Sequence, residues 1–460
     1  TRISVSSDGA QANDESRNPS ISADGRYVVF ESDADNLVSG DTNGSRDIFV
    51  HDLQTGDTKR VSVASNGTQG NNNSRFPSIS SDGRYVAFQS LASKLVNGDT
   101  NGYQDIFVHD RQTGVTSLVS VASDGKEGNG DSYGPSISAD GRYVAFDSKA
   151  SNFVSGDTND ESDIFVHDRQ TGVTSIVSVA SDGDQANNSS YSSSISADGR
   201  YVAFTSDAKN LVSGDDNNLP DIFVHDRQTG TTSHVSVASD GTKGNSGAYG
   251  PSISTGGSYV VFHSDSNNLV NEDTNGAFDV FVRDLQSNTT TRISVASDGT
   301  QGNNSSWDSS ISDDGRYVAF ASYATNLVIK DTNGTEDSFV HDRGEPPSLT
   351  INYPNGAPGS YFNISGSDYP PNEKASLSIN GSSLGDISTS ETGTFTFTLS
   401  TGNADEGRYF ITVSVNPQAT TQFKLDASDP TRPHEGSYPI FDVPAGIAFT
   451  NVIYLPNVIK

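Results

Sequence analysis

The tract GDTNGSRDIFVHD at 40–52 returns five more times along a chain of 460 residues, and its leading Asp falls at 41, 99, 157, 215, 273 and 331. The step is 58 residues every time. A fixed period of that size dictates a repeat architecture, because each copy is one supersecondary unit that buries its apolar face only against a neighbour. The first full copy holds four strand-like segments: PSIS at 19–22, RYVVFES at 26–32, DIFVHD at 47–52 and TKRVSVAS at 58–65. Asp24-Gly25 separates the first two and Gln54-Thr55-Gly56 the last two, both with the chemistry of tight turns. Four meandering strands at a constant interval describe a propeller blade, and six copies predict an all-β, six-bladed β-propeller.

The sixth unit stops at 343 without a fourth strand, whereas the chain opens on TRISVSSDG, a match to TRISVASDG at 291–299. Residues 1–7 are therefore expected to complete the last blade and close the ring, hiding an edge that an open sheet would expose. The motifs ISADGRYVAF and DIFVHD resemble TolB-like (WD40-related) propeller repeats across residues 1–343. That resemblance implies the fold; its members range from scaffolds to protease-associated domains, so it leaves function open.

Blades of 58 residues exceed the ~40–45 usual for propeller repeats, and the excess lies in two loops on one face. One of these loops carries D-x-N-x-x-x-D. Asp41, Asn43 and Asp47 offer hard oxygens at relative positions 1, 3 and 7, and Gly44 permits the tight turn between them. The same set recurs as Asp99, Asn101 and Asp105; Asp157, Asn159 and Asp163; Asp215, Asn217 and Asp221; Asp273, Asn275 and Asp279; and Asp331, Asn333 and Asp337. Six copies that keep these residues while their neighbours drift predict Ca²⁺, up to one ion per blade; the plain alternative is that Asp and Asn merely cap turns. Asp52 is too far along its strand to join such a site, about 16 Å from Asp47 at the usual rise.

Catalysis needs unlike groups side by side, and six near-identical blades argue against it, so the chain is read as a non-enzyme. His51, His109, His167, His225 and His341 repeat at one strand position and are expected to make interblade hydrogen bonds. One position varies: Arg17, Arg75, Tyr133, Tyr191, Tyr249 and Trp307 precede the first strands and are expected to ring one mouth of the channel. Such side chains either bind a glycan or peptide or pack as loop anchors.

After Pro346-Pro347 the repeat ends, with a linker at 344–348. Strands with turn signals every 8–12 residues follow, and NISGSDYPPNEKASLSING…ETGTFTFTLS resembles immunoglobulin-like modules of secreted bacterial proteins. An immunoglobulin-like β-sandwich is expected at 349–428, and an apolar, strand-forming tail at 429–460. The tail either docks on its own sandwich or adds a strand to another molecule, which would build a filament. A net charge of −30 and the absence of cysteine exclude nucleic acid, anionic lipid, disulfides and thiolate sites. No window is apolar enough for membrane insertion. The start at Thr1, without an apolar leader, suggests a mature or trimmed form. The combined expectation is a secreted or cell-surface, calcium-binding structural and adhesive protein. Self-association, another surface protein or a glycan is its partner; a glycan- or peptide-binding module is the alternative, and a propeller hydrolase ranks below both.

Overall fold

The apolar strand Tyr27–Ser32 and its equivalents in the next four sheets are covered on both faces, whereas the sixth equivalent, Tyr317–Ser322, alternates buried with exposed. This computed structural model describes residues 1–344, 348–369, 372–414 and 419–447, and contact clustering divides the chain into Thr1–His341 and a second unit that begins at Asp342. In blade 1 the strands are Ser16–Ile21, Tyr27–Ser32, Asp47–Asp52 and Thr58–Arg60, each antiparallel to the next. The four following blades repeat this order, and the first strands of successive blades touch one another, which makes them innermost. The first unit is a β-propeller.

The fourth strand is shorter than 58–65. From Val61 the chain turns to the next blade, where Val61 shares a buried cluster with Ile79, Phe88, Leu95 and Phe107. The alternation of TKRVSVAS persists beyond Arg60 because Val61 is still buried, but by another sheet.

Three contacts make each joint. A stacked aromatic pair such as Phe88 and Phe107, 5.9 Å between centroids, fills the centre. On the turn face, Tyr85 lies against Gly141 of the next blade, with Arg84 4.7 Å and Arg169 4.6 Å from its ring. At the axis, Ala23 N–H donates to Ser81 O, Ser81 to Ala139, Ala139 to Ala197, Ala197 to Thr255 and Thr255 to Asp313. The repeated histidines act differently from expectation. His109 Nδ1 bonds Thr116 Oγ1 at 2.9 Å within its own blade, and that hydroxyl makes the interblade bond, to Val63 O at 2.5 Å.

Ring closure by residues 1–7 is not found. The sixth sheet has three strands, Ser306–Ile311, Tyr317–Ser322 and Asp337–Asp342, and among the described residues no ladder joins it to the first blade. Val340 is 68% exposed where its equivalent Val108 is fully buried, and Ile21 is 58% exposed against 8% for Ile79. Thr1 and Arg2 align with the last two residues of the strand Thr289–Arg292, so only two of the seven residues occupy strand positions. The remainder is a crossover. Ile3 and Ala12 pack on Phe30, Ala34 and Leu37, and Val5 O accepts from Thr58 Oγ1.

The second unit is a β-sandwich. One sheet orders Ser348–Ile351, Tyr361–Ser367, Phe395–Ser400 and Ile440–Asp442; the other orders Asn355–Gly356, Ala419–Leu425, Gly407–Ser414, Lys374–Ile379 and Ser382–Ser388. They share a core of Phe362, Leu377, Phe397, Tyr409 and Phe423. Ile440–Asp442, from the expected tail, runs parallel to Phe395–Ser400, and Val443 is 1% exposed in the same core. The sandwich thus extends past 428. The rest of the expected tail, 448–460, lies outside the described residues.

Candidate functional site

Loops 33–46 and 61–73, between strands two and three and between blades, meet at the end of the molecule where the innermost strands begin. The loop carboxylates converge there because strand three starts on one of them. Asp47 pairs with Ser32 in the ladder, and Ser62 Oγ donates to Asp47 Oδ1 at 2.5 Å. Asn43 Oδ1 accepts from Ser45 N at 2.9 Å, closing an Asx turn, while its Nδ2 donates to Asp47 Oδ2 at 2.8 Å and Gly70 O at 3.0 Å. Asn101, Asn159, Asn217, Asn275 and Asn333 repeat the bond to Asp105, Asp163, Asp221, Asp279 and Asp337. These asparagines therefore turn nitrogen towards the carboxylate, a departure from their expected part as oxygen donors.

The blades differ in what faces the two carboxylates. In blade 1 Arg60 Nη1 lies 2.8 Å from Asp41 and 3.2 Å from Asp47. In blade 4 His234 Nε2 is 3.0 Å from Asp221, with the charge of Lys243 beside Asp215. In blade 5 Arg292 is 3.5 Å from Asp273, and Gln301 donates to Asp273 and Asp279 at 2.8 and 3.0 Å. Blade 3 has only a neutral bridge, Gln185 donating at 2.7 Å to both Asp157 and Asp163. Blade 2 puts Leu118 where the arginine stood and Glu127 where the glutamine stood, in a cleft of 890 Å³. Burial, and then the charges of Asp99 and Glu127, push Asp105 up to about 6 against the hydrogen bonds from Ser120 and Asn101. Burial likewise raises Asp163 to about 6. Oxygen-rich and lacking a built-in cation, blades 2 and 3 fit a hard divalent ion; blades 1, 4 and 5 already hold a positive side chain in that place. Among the described residues no three His, Asp or Glu side chains lie close enough together to hold a metal.

The varying ring lies at the same end. Arg17, Arg75, Tyr133, Tyr191, Tyr249 and Trp307 are each the second residue of the innermost strand, inside it and not in the loop before. A bulge follows each, and the next residue takes a left-handed φ: 49° at Asn18, 50° at Phe76, 56° at Ser192 and 47° at Asp308. Backbone strain of this kind on an exposed Phe76 is found where a site over-determines the chain.

Behind this ring is a second one that sequence reasoning missed: Glu31, Gln89, Asp147, Thr205, His263 and Ala321, each directly across the ladder from a mouth residue. Its signal was available, since within YVAFxS one other position varies, between Ala and Val, while this one differs in every copy. Glu31 accepts from Phe76 N at 2.8 Å and Gln89 from Gly134 N at 2.9 Å, linking blades. Asp147 takes the Ser192 N–H, yet burial pushes it up to about 7. Burial moves the His263 imidazole the other way, below its ordinary value.

No protein-family model matches this chain, and no curated protein does. Solved structures match in fold. A TolB from Agrobacterium tumefaciens is 17% identical with a TM-score of 0.38, over 61% of this chain and 81% of that one. An oligogalacturonate lyase in complex with manganese is 12% identical, TM-score 0.41, over 69% and 74%. A periplasmic gluconolactonase from Pseudomonas aeruginosa is 16% identical, TM-score 0.32, over 70% and 84%. Two of these three are enzymes. The expectation of a non-enzyme is therefore withdrawn; the blades are also less alike than it assumed, since the second ring carries Asp147 in blade 3 and His263 in blade 5.

Proposed function

We propose, from the premise that the first unit is a TolB-like β-propeller, that this chain is an extracytoplasmic structural and binding module whose loop face recognises a glycan or peptide at the channel mouth. Support comes from one contrast. Positions that build joints repeat from blade to blade, whereas the first mouth ring passes from Arg through Tyr to Trp around the axis and the ring behind it differs in all six blades, as a surface shaped for one asymmetric ligand would. Trp307 and Tyr323, 5.1 Å apart, and Tyr249 with His263, 5.9 Å apart, offer stacking surfaces. Glycan and peptide arrays probed with wild type and Trp307→Ala test this. Loss of a buried aromatic anchor is expected to weaken binding about 30-fold, near 2 kcal/mol. Binding by neither protein overturns the proposal.

Calcium belongs to the same proposal, at blades 2 and 3 in place of all six. Asp99, Asp105 and Glu127 would hold the ion in blade 2, and Asp157 and Asp163 in blade 3, with loop carbonyls completing the oxygen shell. The ion would offset the charge that burial makes costly and tie the loops down. Chelation is expected to lower the melting temperature of wild type by about 5 °C, as mass action at ~100 Kd implies for a domain of this size. Leu118→Arg, which copies Arg60, is expected to raise the melting temperature in chelator and to remove most of the difference. Equal melting curves with and without chelator in wild type would falsify the metal assignment. The sandwich, whose five-stranded sheet sets the short strand Asn355–Gly356 parallel to Ala419–Leu425, is compatible with an immunoglobulin-like spacer.

A further inference from the structure

We infer that the ligand of the mouth is an organic cation, a lysine- or arginine-bearing peptide. The inference rests on the binding role proposed for the mouth and specifies the chemistry of its ligand.

Blades 3 to 6 present an unbroken arc of aromatic faces, Tyr133, Tyr191, Tyr249 and Trp307, while the arginines stand on blades 1 and 2. Acids are interleaved with that arc. Tyr191 Oη donates to Asp207 Oδ1 at 3.2 Å. The Tyr249 phenol is raised first by burial and then by the charges of Asp265 and Asp207, so both carboxylates lie within electrostatic reach of its ring. Tyr133 responds in the same way to burial, Asp131 and Asp147.

Cations are partitioned to the other side. Arg17 pairs with Glu15, and Arg46 with Asp33 and Glu31, all in blade 1. At the corresponding mouth positions of blades 3 to 6, Asp131, Asp207, Asp265 and Glu336 face one cation, Lys149, while Asp147 gains its charge only around pH 7. His263 does not redress this balance, because burial disfavours its charged form.

One more polar group lies directly behind the arc. Thr205 is fully buried directly behind Tyr191, and its Oγ1 has no hydrogen-bond partner among the described residues. The side chains at the same place in blades 1 to 3, Glu31, Gln89 and Asp147, each take an N–H from the following blade. Thr205 is too short for that reach, which leaves its hydroxyl buried beneath the tyrosine arc without a partner among the described residues.

Aromatic faces carry negative quadrupoles, and with nearby carboxylates they recognise ammonium and guanidinium groups. A neutral sugar stacks on the same rings and its hydroxyls donate to carboxylates, but it brings no charge to neutralise them. An anion is repelled by them and by the whole chain's net charge of −30, which also steers cations inward.

The experiment is calorimetric titration of the full chain with acetyl-trilysine amide, with the same peptide acetylated on all three side chains, and with cellotriose. Wild type is expected to bind only the charged peptide. Asp207→Asn is expected to weaken it about tenfold without moving the melting curve. Asp57→Asn, the same charge change on the exposed turn at the opposite face, is expected to leave binding unaltered. Equal affinity for the acetylated peptide, or equal weakening by Asp57→Asn, overturns the inference. Sugar binding that Trp307→Ala abolishes, with no binding of trilysine, overturns it while leaving the mouth as a site. Array and titration both silent would overturn the two together.

Discussion

Gly141→Ala is expected to destabilise the propeller by about 2–5 kcal/mol, read as a fall in the urea midpoint. Gly141 has φ +71°, and a Cβ there would stand 2.1 Å from Cδ2 of Tyr85 in the preceding blade. Two penalties combine: about 1–2 kcal/mol for a left-handed alanine and about 1–3 kcal/mol for forcing an aromatic ring aside. The ring has nowhere to go. Arg84 covers it from its own blade and Arg169 from the next, and Arg169 Nη1 is anchored at 2.5 Å on Gly141 O itself. Gly114→Ala separates the two penalties, since Gly114 has φ +74° with nothing within 4 Å of a built Cβ. It is expected to lose the backbone contribution only. Equal midpoints for the two variants would show that the tyrosine–glycine contact does not hold the joint.

Asp147→Asn is expected to stabilise the protein at pH 8 by roughly 2–4 kcal/mol and to leave it unchanged near pH 4. The Asp147 carboxyl titrates at about 7 in the folded chain because burial disfavours its charged form, against an ordinary 3.8. Between those values the folded state holds a proton that the unfolded state has released. Stability therefore falls as pH rises through this window, by at most about 1.4 kcal/mol per unit, and the full penalty is present above pH 7. Asparagine keeps an oxygen for the Ser192 N–H and carries no charge to bury. Urea unfolding of both proteins at pH 4, 6 and 8 measures the difference. A gap that does not widen with pH removes Asp147 as the source.

The repeat was legible because joints are made of the residues that recur: Phe88 and Phe107, Tyr85 and Gly141, His109 and Thr116 are all motif positions. The loop carboxylates were legible for the same reason. What faces them was not, because Arg60 lies 19 positions after Asp41 on another strand, at a position that drifts through Leu118, Ile176, His234 and Arg292. Only the register of strands three and four brings them together. The second mouth ring escaped notice for a related reason: a single drifting residue inside an apolar strand looks like tolerance, until its partner across the ladder is known. The last strand of the sandwich falls in the apolar segment read as a tail, for which docking on its own sandwich was one of two options. A parallel pairing with Phe395–Ser400 has no local signature at all.

The seam beside Val340 shows how this architecture keeps its accounts of length. Every joint is complete with two neighbours, and none senses a third blade. Gain or loss of one 58-residue module by unequal recombination would leave each surviving interface atom for atom as before. Only the arc subtended about the axis would change, and with it the number of rim residues presented to a guest. In such a lineage, module number becomes a coarse dial for how much of a guest is contacted, while the drifting residues at the rim set its chemistry.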